Sequence, residues 1–78
     1  MKLPRGISGA RLIRALEGLG YVQVRRKGSH VQLRNEGAPV HSITIPLHDA
    51  LKVGTLHSIL TEVAQIRSIT IESIIEAL

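Results

Sequence analysis

Apolar residues recur along the chain with two periods, and the switches between them divide it into elements. From Ser8 to Leu19 the period is helical. Leu12, Ile13, Ala15, Leu16 and Leu19 share a face, with Arg11, Arg14 and Gly18 opposite. Ser8 supplies an N-cap oxygen, and Ile7 and Leu12 stand at staple positions. Gly20 ends the helix at C′, so that Tyr21 can fold back on Leu16. Tyr21 to Lys27 then alternates with period two, Val22 and Val24 on one face. Gly28-Ser29 reads as a two-residue II′ turn, and His30 to Asn35 alternates again with Val31 and Leu33 inward. That turn pairs Lys27 with His30, Arg25 with Gln32 and Val24 with Leu33, so apolar faces apolar and polar faces polar.

Asn35 to Pro39 reads as a loop, and Val40 to Ile45 as a third strand with Ile43 and Ile45 inward. Pro46 closes that strand, because it cannot donate to a ladder. Leu47 to Gly54 connects to a second helix, expected to be capped by Thr55 and to bury Leu56, Ile59, Leu60, Val63 and Ala64. A short helix after Thr70 carries Ile71, Ile74, Ile75 and Leu78 on one face. The expected fold is α+β, a single domain over residues 1–78. Its order is α-β-β-β-α with a short extra C-terminal helix, and its three-stranded antiparallel sheet has helices on one face. That order resembles the double-stranded RNA-binding domain. The other face carries Arg25, Lys27, His30, Gln32 and Arg34 and is expected to be wet.

Seventy-eight residues leave room for one core. Hydrophobic residues make up 44% of the chain, yet Tyr21 is the one aromatic, so the core is aliphatic and base stacking on a row of rings is not available. The absence of Cys excludes disulfides, thiolate metal sites and a cysteine nucleophile. No apolar run approaches the roughly 20 residues that cross a bilayer. The opening Met1 to Arg14 is interrupted by charge, Pro4 and two glycines, unlike a signal peptide, so the cytosol is the expected compartment.

Charge is divided unevenly. Residues 1–34 hold eight Lys and Arg against Glu17 alone, a balance of +7, whereas residues 35–78 balance at −3. A basic half is the electrostatic footprint of a phosphate-rich partner. RNA carries its own nucleophile, the ribose 2′-hydroxyl. Cutting it therefore needs one acid–base group and positioned cations on the phosphorane-like state. Histidine titrates nearest neutral pH, and His30 follows the turn on the polar face with Lys27 across from it. Arg25 and Arg34 add charge to the same face. Ser29 reads as a turn residue, His48 stands in a loop where it can touch a ligand, and the N–H groups at Gly54-Thr55 can receive a phosphate. His41 and His57 lack any metal-ligand spacing with the other histidines, so neither a metal nor another cofactor is expected. On residues alone, a non-catalytic RNA-binding module and a protein-interaction domain docking an acidic partner remain alternatives to a nuclease.

Lys27-Gly28-Ser29-His30, then Pro46-Leu47-His48, then Gly54-Thr55-Leu56-His57-Ser58-Ile59-Leu60 resembles the HicA toxin family. The stretches Ser8 to Tyr21 and Thr70 to Leu78 are similar to it as well. Val31, Val53 and His57 stand where members often carry other polar or basic residues. HicA proteins are mRNA interferases of toxin–antitoxin pairs. The resemblance implies a double-stranded RNA-binding-like fold and an endoribonuclease that halts translation. It also implies neutralisation by a HicB-like antitoxin and a catalytic histidine at His30.

Overall fold

A computed structural model describes residues 2–78. Ser8, in extended backbone, accepts the Arg11 N–H at 3.0 Å and starts helix α1 (Gly9–Glu17). At its other end the Gly20 N–H donates to Glu17 C=O and the Tyr21 N–H to Leu16 C=O, with Gly20 at φ +98°. Those two bonds form a Schellman motif with glycine in the left-handed position, the stop that the sequence implies. Strands β1 (Val22–Lys27) and β2 (His30–Asn35) follow, then β3 (His41–Pro46), helix α2 (Val53–Arg67) and helix α3 (Ile71–Glu76). Thr70 caps α3 by accepting the Ser73 N–H.

The strands form one antiparallel sheet in the order β1-β2-β3. Val31, Leu33, Ile43 and Ile45 project from β2 and β3 into one core with Leu12 and Leu16 of α1, Leu56, Leu60 and Val63 of α2 and Ile74 of α3. The α+β order with an extra C-terminal helix is therefore as expected. Gly9 lets α1 approach the end of β3. Its N–H donates to His48 C=O at 2.9 Å, and a Cβ there would lie 2.0 Å from the Pro46 carbonyl oxygen.

Four local expectations are corrected. The hairpin pairs Lys27 with His30 and Arg25 with Gln32 as expected, but a bulge between Gln23 and Arg25 then puts Gln23, not Val24, opposite Leu33. Every residue of β1 is exposed, Val22 and Val24 included. β1 is an edge strand with no buried residue, so burial does not fix its register. Next, α2 begins at Val53 with Lys52 as N-cap, and Thr55 sits inside the first turn rather than capping it. The Leu51 N–H donates to Ile7 C=O at 2.7 Å, which ties the chain down just ahead of the helix. Third, the loop begins after Asn35, which closes β2 as the alternation from His30 to Asn35 predicts and is 5% exposed. The Asn35 side chain donates to Leu19 C=O and accepts the Gly37 N–H, pairing its own buried amide at the start of the loop. Fourth, β3 starts at His41, leaving Val40 exposed outside it.

Candidate active site on the open face of the sheet

Alternation along β2 sends Val31, Leu33 and Asn35 inward and leaves His30, Gln32 and Arg34 on the opposite face. The type of turn places His30. Gly28 has φ +58° and Ser29 does not share a positive φ, the sign pattern of a II′ turn that holds Lys27 and His30 side by side. His30 is exposed. It lines a shallow depression of about 200 Å³ with Arg25, Lys27, Gln32 and Thr44. An imidazole, a guanidinium and an ammonium thus share one small wet surface. The bulge lies beyond Arg25, so the in-register part of the hairpin is the part that builds this depression.

Other sequence candidates are placed less closely. Arg34 faces the same way but stands four residues along β2, roughly 13 Å from His30 at strand rise. Its Nε donates to Glu36 Oε1 at 2.8 Å, so its charge is shared. Ser29 is joined to the β3–α2 loop, its C=O accepting the Leu47 N–H at 2.6 Å, which brings the backbone just before His48 to the hairpin turn. His48 is exposed. Gly54 and Thr55 lie in the first turn of α2, exposed and half-buried respectively, and neither lines the His30 depression.

A second cluster was not legible beforehand. Tyr21 Oη and His41 Nδ1 are 2.7 Å apart, and His41 Nε2 and Glu62 Oε2 are 2.7 Å apart. A carboxylate only accepts, so Nε2 carries the proton and, in the neutral ring, Nδ1 accepts the Tyr21 O–H. Burial raises the Tyr21 phenol above its ordinary pKa, with Arg67 opposing the rise and Glu62 adding to it. The chain of bonds ties the end of α1, β3 and α2 together on the core side of the sheet. His41 pairs with Asn35 whereas Pro46 pairs with His30, so this cluster stands five ladder steps, roughly 17 Å, from the His30 end. No sequence spacing signals it, because three separate elements supply its members.

The family model described as HicA toxin of bacterial toxin-antitoxin matches residues 9–66. The chain belongs to the HicA toxin family. The match runs from the start of α1 nearly to the end of α2 and includes the whole sheet; α3 lies outside it. Neither the curated proteins nor the solved structures gave a match. Membership in the HicA family assigns a toxin role in a toxin–antitoxin system, with a cognate antitoxin as partner. Among the described residues, no helix is long and apolar enough to cross a membrane.

Proposed function

We propose that this HicA toxin is a metal-independent endoribonuclease that cuts mRNA in the cytoplasm, with His30 as its acid–base group. The observation that carries the reading is His30 exposed in one depression with Arg25 and Lys27. His30 takes the proton from a ribose 2′-hydroxyl. The 2′ oxygen bonds to the adjacent phosphorus, the bond from phosphorus to the 5′ oxygen breaks, and that leaving oxygen takes a proton from the imidazolium or from water. The products are a 2′,3′-cyclic phosphate and a 5′-hydroxyl. Lys27 and Arg25 stabilise the added negative charge on the phosphorane-like state, where fixed cations act without reorganising. Ser29 and His48, beside the turn, contact the flanking strand. Arg34 and the Gly54-Thr55 turn contact phosphates farther along. A HicB-like antitoxin silences the toxin by covering His30 and its cations, for which acidic residues are the complementary chemistry.

End-labelled RNA incubated with the pure protein in EDTA tests this reading. Scission leaving cyclic phosphate ends is expected. Salt-sensitive binding without scission would make the domain a non-catalytic RNA binder instead. Tight antitoxin binding that RNA does not disturb would make it a protein-interaction module.

A further inference from the structure

Two depressions on this molecule meet at Gln32 and Thr44. The first is the cationic one around His30. The second is a groove of about 350 Å³ between β3 and α2. Resting on the ribonuclease reading, we propose that this groove holds a nucleobase of the bound strand flanking the cut. Within it, Glu62 selects bases bearing an exocyclic amine over uracil.

Charge separates the roles of the two depressions. Arg25 and Lys27 suit a phosphate. Glu62 is the charged member of the groove's lining and repels one, so the groove suits the uncharged part of a nucleotide. Its volume lies at the small end of the ~300–1,000 Å³ range for ligand clefts. Its chemistry has the usual composition of such clefts, with Ile43 and Ile59 as apolar lining and the Ser42, Thr44 and Ser58 hydroxyls and the Gln32 amide as polar groups. With Tyr21 as the one aromatic in the chain, a base here is read by hydrogen bonds rather than by a stacking platform.

The backbone adds donors and acceptors. The Leu47 N–H bond to Ser29 C=O sets the phase of the β2–β3 ladder, and the register pairs Val31 with Ile45 and Leu33 with Ile43. Hydrogen-bonded and non-bonded pairs alternate in an antiparallel ladder. Ile43 and Ile45 therefore spend their peptide groups on β2, and Ser42 and Thr44 turn theirs to the free edge of β3. Each of these offers an N–H and a C=O together, the complement of a base edge that carries an acceptor beside a donor.

Glu62 is aimed rather than loose. His41 holds its Oε2, and Tyr21 holds His41. The second carboxylate oxygen is left to accept an N–H. Cytosine, adenine and guanine each present an exocyclic amine. Uracil's edge donor, N3–H, is flanked by two carbonyl oxygens that a carboxylate repels. The Tyr21–His41 pair is thus a positioning pair for a specificity residue. A hydrogen bond to a charged group sets the expected discrimination at about ten- to a hundredfold.

Titration of the isotope-labelled parent protein with cytidine, adenosine and uridine 5′-monophosphates, followed by backbone amide shifts, tests the groove without requiring cleavage. Cytidine and adenosine monophosphates are expected to move Ser42, Thr44 and Ser58, and uridine monophosphate to do so at least about tenfold more weakly. Glu62→Gln, whose amide both donates and accepts, is expected to erase the difference, both in the titration and in cleavage of RNAs differing at the bases flanking the cut. Equal response to uridine and cytidine monophosphates, or shifts confined to Arg25–His30, would overturn the proposal. Discrimination in the groove by a protein that leaves RNA intact would support the base site and defeat the ribonuclease reading. Scission with an unresponsive groove would do the reverse.

Discussion

Gly9 is where the fold tolerates a side chain least. A Cβ on it would stand 2.0 Å from the Pro46 carbonyl oxygen, 3.0 Å from that carbonyl carbon and 3.1 Å from the Leu47 Cα. All three atoms are backbone, so no rotamer change relieves the overlap. Gly9→Ala therefore pushes α1 away from the end of β3 by more than about 1 Å, since packed interiors leave no slack of that size. Overpacking of this kind costs about 1–3 kcal/mol. The 2.9 Å bond from Gly9 N–H to His48 C=O stretches as α1 moves, at a cost of about 1 kcal/mol. Alanine's better helix propensity returns about 0.5–1 kcal/mol. The net is a destabilisation of about 2 kcal/mol, a fall in Tm of roughly 8–16 °C for a domain of this size. Chemical and thermal denaturation followed by circular dichroism measure it. An unobstructed helical Gly→Ala change stabilises, so a variant as stable as the parent, or more so, would refute the close approach of α1 to β3.

Further outcomes follow from other contacts. Asn35→Ala leaves the half-buried Leu19 C=O without its partner, whereas the exposed Gly37 N–H can turn to water, and is expected to cost about 1–3 kcal/mol in urea denaturation. The Tyr21 phenol has a folded-state pKa raised by burial, so the stability it supplies is complete below the unfolded value near 10 and is lost as pH rises through the folded one. Denaturation across alkaline pH should show that loss, and Tyr21→Phe should flatten it. Lys27→Gln is expected to weaken RNA binding about equally across sequences and to reduce the salt slope by about 1, read by titration at several salt concentrations.

The hairpin that carries His30 was legible because its determinants are local. Gly28 alone satisfies the positive φ of the turn, and side-chain alternation sets the pairing as far as Arg25. Beyond that point the signal failed, because Val22 and Val24 read as core residues only if something covers β1. The helices bury β2 and β3 instead, leaving both valines at the exposed edge. The start of α2 was misplaced for a related reason: a long-range bond from Leu51 to Ile7, rather than the local Thr55 signal, precedes its first turn. His41 had no spacing partner in the sequence, since Tyr21 and Glu62 lie 20 and 21 positions away and meet it only in the folded chain. His30, Arg25 and Lys27 came together as expected because two adjacent strands and one turn bring them there, whereas Arg34, farther along the same strand, turned to Glu36.

The most direct test replaces the imidazole itself. His30 is exposed, so His30→Ala should keep the fold, which circular dichroism and unchanged thermal unfolding verify. Its rate of RNA scission in EDTA, compared with the parent on the same labelled strand, should fall by at least about a hundredfold, the low end of what a positioned acid–base group contributes. A folded His30→Ala protein that cuts as fast as the parent would contradict the account.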